Sequence, residues 1–100
     1  MGKVNQCGEY LRYLREKEEW GLREFARELG CSHAYLAKCE QNSYALSGRY
    51  LEEICDRIPL KDARKLVRLW IADRKTSARA ACKRRIAEYD TLEEELMRSL

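Results

Sequence analysis

Apolar residues recur at spacings of three and four positions along most of the chain, which is the period of an amphipathic helix. Glycine is scarce and the only proline is Pro59, so signals for strands and turns are few. Polar and turn-forming residues divide the apolar pattern into six helical segments, at about residues 5–19, 22–29, 33–41, 47–58, 62–73 and 76–100. The pattern therefore predicts an all-α protein.

Capping residues lie where these segments should begin and end. Asn5, Ser32 and Ser47 each precede a segment and can accept a hydrogen bond from its first free N–H groups. Gly30 follows the second segment, where a residue in the left-handed conformation commonly ends a helix. Pro59 prevents the fourth segment from continuing smoothly into the fifth. We therefore expect separate short helices.

The last segment predicts a long amphipathic helix with a narrow apolar stripe in a highly charged background. Such a stripe must pack either on the preceding domain or on a second copy of the chain. We expect a domain over residues 5–73 and an extension over residues 74–100 that forms a homodimer. The stripe residues expected at the dimer contact are Cys82, Ile86, Tyr89, Leu92 and Leu96. The alternative is packing within the chain onto Leu66, Trp70 and Ile71.

The net charge of +3 conceals a strong segregation of charge along the chain. Residues 1–60 carry nine Lys/Arg against ten Asp/Glu, residues 61–85 carry ten against two, and residues 86–100 carry one against five. A concentrated positive block favours an anionic partner, most often nucleic acid. The alternative is a solvated helix face that pairs with the acidic terminus. Whether the basic segment 74–85 touches DNA stays open at this point.

Neither a membrane span nor a secretory signal is evident in the sequence. No run of about 18 apolar residues occurs, and the first ten residues, MGKVNQCGEY, lack an apolar stretch. We expect no membrane association and a cytoplasmic location.

Five cysteines raise the question of a metal site, because Cys31, His33 and Cys39 lie within nine positions. The number is odd and no Cys-x-x-Cys pair occurs, which argues against a disulfide framework and a four-thiolate zinc site. His33 and Cys39 are six residues apart, about 600° around a helix, so their side chains point in different directions and do not converge. We expect reduced thiols that pack as small apolar side chains, with no metal and no cofactor. A redox or metal sensor is the third hypothesis.

Two short helices joined by a tight turn at LGCS, residues 29–32, are typical of a helix-turn-helix, whose second helix enters the major groove of DNA. Ala26 is small where the second of these helices must cross close above it, and Gly30 opens the turn. Modest apolar side chains lie at the remaining core positions, which are Cys31, Leu36 and Cys39.

The segment Leu11–Ile58 resembles the Cro and phage-repressor type of helix-turn-helix domain, often called the xenobiotic-response-element type. The family spacing is kept by Phe25-Ala26, Gly30, Leu36 and Lys38-Cys39-Glu40. The resemblance implies a lambda-repressor-like domain of five helices, followed here by a C-terminal amphipathic helix. It also implies an ion pair between Arg15 in the first helix and Glu40 at the end of the third. The alternative is two unpaired surface charges.

The sequence departs from the family at the start of the second helix. Where the family often has Ser/Thr-Gln, this chain has Gly21-Leu22, so the usual glutamine contact with phosphate is missing. Arg23 and the free N–H groups of that helix start are candidates for the phosphate contact, and a solvent-facing Arg23 is the alternative.

The resemblance implies DNA contacts by the exposed face of the third helix and by the loop after it. Lys38 and His33 can donate hydrogen bonds to guanine, while a phosphate contact or a plain surface position is equally open for His33. The expected base-contacting residues are Ser32, His33, Ala34, Ala37 and Lys38. The expected backbone-contacting residues are Arg23, Gln41, Asn42, Ser43 and Arg49. Tyr44 lies in the same loop, where the family contacts the DNA backbone, and could equally belong to the core.

These features predict a sequence-specific regulator that binds double-stranded DNA, as a bacterial or phage repressor acting as a homodimer. We expect no catalytic activity, because no nucleophile–base pair, phosphate-binding glycine loop or acidic pair is identifiable. The alternative is a protein-interaction module on the same fold, an antitoxin or adaptor with a partner on the C-terminal helix. The net charge of −1 over residues 1–60 and the missing glutamine favour that alternative.

Overall fold

A computed structural model describes residues 6–78 and 83–100 of the chain, with side chains described over residues 6–76 and 87–100. The described residues form six α-helices and no strand, so the predicted all-α fold of five helices and a C-terminal helix is confirmed. The helices are α1 Cys7–Lys17, α2 Leu22–Leu29, α3 His33–Glu40, α4 Gly48–Cys55, α5 Leu60–Ala78 and α6 Lys83–Ser99.

Three of the predicted helix boundaries depend on the capping residues that the sequence indicates. Ser32 Oγ accepts a hydrogen bond from Tyr35 N at 3.1 Å, and Ser47 Oγ accepts one from Tyr50 N at 3.5 Å. Gly30 ends α2 with a φ of +81°, a left-handed conformation that favours glycine. These caps hold the two ends of the turn between α2 and α3 and the start of α4.

The cap of α1 comes from the other end of the domain. Asn5, which we expected at this position, lies outside the described residues, and Gln6 is the N-cap without a side-chain hydrogen bond. The Asp73 carboxylate of α5 accepts hydrogen bonds from Gln6 N at 3.0 Å and from Cys7 N at 2.9 Å. A carboxylate at a helix N-terminus satisfies free N–H groups and complements the helix dipole. Asp73 therefore joins α5 to the start of α1.

The core is formed by the apolar faces of α1 to α5. Burying a large apolar side chain stabilises a fold by about 1.5–3 kcal/mol, so this cluster is the main source of stability. Its largest fully buried members are Leu11, Leu14, Leu36, Leu51, Ile54, Leu66, Val67 and Ile71.

The predicted bounds of the fourth and fifth helices near the end of the domain are wrong. The fourth helix ends at Cys55 rather than continuing to Ile58. The fifth runs from Leu60 to Ala78, because no glycine or proline interrupts residues 60–78. The expected division between residues 73 and 74 therefore falls inside one continuous helix, and the domain has no linker at that point.

Helix α6 returns along α5. Lys75 of α5 forms an ion pair with Asp90 of α6, and Arg64 near the start of α5 lines a groove with Met97 near the end of α6. Part of the apolar stripe thus packs within the chain, as the alternative interpretation expected. The partly buried apolar side chains of α6 and the C-terminus are Tyr89, Leu92, Leu96, Met97 and Leu100. Of the other expected dimer residues, Cys82 and the side chain of Ile86 lie outside the described part.

Candidate nucleic-acid interface

Helix α3 has one buried side and one exposed side. Leu36 and Cys39 are buried in the core, and Ala37 is half-buried. The N-cap and the remaining expected base-contacting side chains are exposed, namely Ser32, His33, Ala34 and Lys38. The small side chains of Ala34 and Ala37 would let this side of α3 come close to the major groove of DNA.

A nearly buried ion pair fixes α3 against α1. Arg15 Nε donates to Glu40 Oε2 at 2.7 Å and a second guanidinium nitrogen donates to Glu40 Oε1 at 3.1 Å, with side-chain exposures of 14% and 6%. A third nitrogen of Arg15 donates to the Trp20 carbonyl at 3.0 Å. The hydrogen bond with Glu40 raises the pKa of Arg15 above its ordinary value. Arg15 and Glu40 thus form the pair that the resemblance implies, and the pair joins α1, α3 and the turn before α2.

The loop from Gln41 to Ser47 is held to α1 by Asn42. Asn42 has a φ of +65°, and its Oδ1 accepts a hydrogen bond from Gly8 N at 3.2 Å. A Cβ at Gly8 would collide with the Cys39 carbonyl oxygen, so only glycine lets α1 approach the end of α3 this closely. Asn42 was expected to contact the DNA backbone, but its side-chain oxygen is occupied here by the start of α1.

A second anchor of this loop is the Leu46 carbonyl. It accepts hydrogen bonds from Trp70 Nε1 at 2.7 Å and from an Arg74 guanidinium nitrogen at 2.6 Å. The Arg74 guanidinium carbon also lies 4.5 Å from the Trp70 ring centroid, in a cation–π contact. Arg74, the first residue of the basic segment 74–85, therefore holds the loop in place.

Three tyrosines line the surface between α3, the loop and α4. The Tyr35 hydroxyl accepts a hydrogen bond from Ser47 N at 3.1 Å and donates to the Ala45 carbonyl at 3.5 Å. The Tyr35 ring centroid lies 5.5 Å from that of Tyr50 and 6.2 Å from that of Tyr44. Burial raises the pKa of Tyr35, so its hydroxyl stays protonated at neutral pH. Tyr35 thereby fixes the loop to α3.

Two cations accompany these rings on the exposed side. Lys38 Nζ lies 5.7 Å from the Tyr44 ring centroid, and the Arg49 guanidinium carbon lies 5.5 Å from the Tyr50 ring centroid. Tyr44 is 52% exposed, so it does not belong to the core, which was one of the two interpretations of this residue. Gln41, Ser43 and Arg49 are exposed as well.

A family model described as a helix-turn-helix domain matches residues 6–67, from the residue before α1 into α5. The chain belongs to the helix-turn-helix domain family. Neither a curated protein nor a solved structure matches the chain significantly. Helix-turn-helix domains place their second helix in the major groove, and the family is typically non-enzymatic. The match indicates a DNA-binding regulator, and its description does not specify the Cro and phage-repressor type.

At the start of α2, where a phosphate contact was expected, the helix-turn-helix domain carries a negative charge of its own. The carboxylate of Glu24 accepts a hydrogen bond from Gly21 N at 3.2 Å, so a negative charge already occupies this helix start. Leu22, at the position of the family glutamine, is half-buried against the core. Arg23 is exposed, as the phosphate interpretation and its alternative both require.

The described cysteines of the helix-turn-helix domain are free thiols. Cys7, Cys39 and Cys55 are buried and Cys31 is half-buried. Burial raises the pKa of Cys7 to about 12 and that of Cys55 to about 11, so both thiols are protonated at neutral pH. Cys39 is buried while His33 is exposed, and within the described part of the chain no group of three metal-ligating side chains converges.

Some contacts that position this surface were not predicted from the sequence. They involve Asp73, Trp70, Arg74 and the Tyr35 hydroxyl, which join residues far apart in the chain or act on backbone groups. Only Asp73 stands out in the sequence, because it is one of two acidic residues in the strongly basic segment 61–85.

None of the described helices is long and apolar enough to cross a membrane.

Proposed function

We propose that this protein is a cytoplasmic, sequence-specific transcription repressor of the Cro and phage-repressor type that binds double-stranded DNA as a homodimer. The observation that supports this most strongly is the exposed side of α3, where His33, Ala34 and Lys38 are exposed while Leu36 and Cys39 are buried. The Arg15–Glu40 pair and the anchored loop hold this side rigidly outward. A rigid helix with small and cationic side chains suits insertion into the major groove.

In this proposal, Lys38 donates hydrogen bonds to guanine N7 or O6, and His33 contacts a base or a phosphate. Ala34 and Ala37 allow close approach and contact a thymine methyl group. The Ser32 hydroxyl caps α3 and still has its proton to donate. The side chains that reach the phosphates are Arg23, Gln41, Ser43 and Arg49. Asn42 contributes its side-chain nitrogen, because its Oδ1 already accepts a hydrogen bond from Gly8 N.

A homodimer would place two α3 helices about 34 Å apart on one face of the duplex. The apolar residues of α6 support this part of the proposal, because Tyr89, Leu92 and Leu96 are only partly buried by α5. Their outer sides remain for a second copy. We therefore propose that the dimer forms on the outer surface of the α5–α6 pair, so that the extension serves both the fold and the assembly.

Binding to duplexes across a salt series tests the DNA part of the proposal. We expect steep salt dependence and a preference for a selected operator over random duplex. Lys38→Ala should reduce that preference by roughly 5- to 150-fold, the loss of a specific base contact. Lys61→Ala, which removes an exposed lysine on α5, is the matched control and should leave the preference unchanged.

Absence of duplex binding even at low salt would favour the protein-interaction module and overturn the proposal. Sedimentation tests the assembly, where a homodimer has twice the chain mass of 11.8 kDa. Transcription from a template carrying the selected operator should fall when the protein is added, and a rise would identify an activator.

A further inference from the structure

We propose that Tyr44 is a positioning residue for Lys38: its ring holds the Lys38 ammonium over the exposed side of α3 and thereby sharpens base discrimination. The proposal rests on the proposed DNA-binding function and gives Tyr44 a role other than a DNA contact of its own. The observation behind it is the distance of 5.7 Å between Lys38 Nζ and the Tyr44 ring centroid.

The backbone brings these two residues together. Ser43 N and Tyr44 N both donate to the Lys38 carbonyl, at 2.8 Å and 3.3 Å. The positive φ of Asn42 turns the chain back at the end of α3, and its bond to Gly8 fixes that turn. Tyr44 therefore returns to the turn of the helix that carries Lys38, where these hydrogen bonds hold the loop.

The Tyr44 ring also packs against the ring of Tyr35. Tyr44 lies 6.2 Å from the Tyr35 ring, and the Tyr35 hydroxyl is bonded to both Ser47 N and the Ala45 carbonyl. Half of Tyr44 is nevertheless exposed, so burial does not explain an aromatic side chain at this position. A supported ring with an open face beside a cation fits a role in orienting that cation.

The charge environment of Lys38 makes such orientation useful. Within the described residues Lys38 forms no ion pair, so its ammonium keeps all three donors for a partner. A free lysine side chain samples many rotamers, and ordering it at the groove opposes binding. An exposed cation–π contact is worth a factor of about two to five in an equilibrium constant. The ring therefore restricts Lys38 before the duplex arrives.

A double-mutant cycle on Tyr44 and Lys38 tests this inference. The measured quantity is the ratio of operator to random-duplex affinity at fixed salt, together with the salt dependence of binding. We expect Tyr44→Leu to lower the ratio about three-fold, because leucine keeps bulk and loses the π face. Tyr44→Phe should keep the ratio within about two-fold, since the ring remains. In a Lys38→Ala background, Tyr44→Leu should have no further effect.

The chain offers a matched control in Tyr13, which is 54% exposed and lies 5.8 Å from Lys17 Nζ in the same kind of contact. Tyr13→Leu should leave the ratio unchanged. The salt slope of Tyr44→Leu should equal that of the wild type, because no phosphate contact is lost. Unfolding curves of each variant separate lost stability from lost discrimination.

Each other outcome overturns the inference in a distinct way. Equal losses in Tyr44→Phe and Tyr44→Leu would mean that the hydroxyl itself contacts DNA. A loss that persists without Lys38 would mean that the ring contacts DNA, and an unchanged ratio in Tyr44→Leu would mean that the ring is idle. Failure of the wild type to bind any duplex would instead reject the proposed function, so the two failures are distinguishable.

Discussion

The surface around α3 and the helix α6 are held to the same domain by different physical means. Directional polar contacts at named backbone and side-chain atoms fix α3 and its loop, through Glu40, Tyr35 and the Leu46 carbonyl. Helix α6 packs through a partly buried apolar stripe, and Asp90 of α6 forms a partly exposed ion pair with Lys75. Polar contacts define a single geometry, whereas apolar burial is non-directional. A surface that reads DNA needs a single defined geometry. A surface that packs on a second copy can rely on non-directional apolar burial.

The largest expected effect comes from breaking the buried pair. Glu40→Ala leaves the Arg15 guanidinium nearly buried without its carboxylate, and we expect the free energy of unfolding to fall by about 3 kcal/mol in urea denaturation. Glu16→Ala is the control, since it removes the exposed partner of Arg12, where the side chains are 56% and 62% exposed. That variant should change stability by less than about 0.5 kcal/mol. Similar losses of stability in Glu40→Ala and Glu16→Ala would contradict the expected difference between a nearly buried and an exposed ion pair.

The cap that α5 provides for α1 should have the next largest effect. Asp73→Ala removes the acceptor of the Gln6 and Cys7 N–H groups, and we expect a loss of about 1–2 kcal/mol in the same measurement. Asp56→Ala, an exposed aspartate after α4, is the matched control and should have little effect. If both substitutions cost the same, water satisfies the start of α1 as well as Asp73 does.

The two regions also differ in how far the sequence predicts them. Helical periodicity follows from packing on one face, so α2, α3 and the caps Ser32, Ser47 and Gly30 were predictable from local residues. The Arg15–Glu40 pair followed from a family resemblance. The contact between Asp73 and Cys7 spans 66 positions, and no local pattern encodes it.

Helix α6 illustrates a second limit of the sequence. Its apolar stripe predicted a helix correctly, but such a stripe buries the same side chains against its own chain or against a copy. Periodicity therefore does not distinguish the two arrangements. In the loop, Asn42 was expected to contact the DNA backbone because the family does so there. No local pattern predicted that its Oδ1 would also accept a hydrogen bond from Gly8, whose lack of a Cβ permits the close approach.

The apolar attachment of α6 gives a third prediction. Leu96→Ala should lower the free energy of unfolding by about 1 kcal/mol, less than for a fully buried leucine because Leu96 is only partly buried. Asp90→Ala, which removes the partner of Lys75, should have a smaller effect of under about 0.5 kcal/mol. If a second copy covers the stripe, the effect of Leu96→Ala should grow with protein concentration. Equal effects of the two variants would contradict the expectation that the apolar stripe holds α6 more strongly than the ion pair does.

The smallest effect is expected at an ion pair that joins α1 and α5 near the surface. Lys17 Nζ lies 2.8 Å from Asp62 Oδ2, and the Tyr10 hydroxyl donates to Asp62 Oδ1 at 3.1 Å. The hydrogen bond from Lys17, with a smaller contribution from Tyr10, lowers the pKa of Asp62 below its ordinary value of 3.8.

Because the folded state lowers this pKa, the stabilisation is present above about pH 4 and is lost as the pH falls through the folded value. The stability difference between wild type and Asp62→Asn should therefore be constant at about pH 5–7 and shrink under more acidic conditions. Added salt should reduce it at neutral pH, since Lys17 is exposed. A difference independent of both pH and salt would mean that the Lys17–Asp62 pair, unlike the nearly buried pair at Glu40, contributes no electrostatic stabilisation.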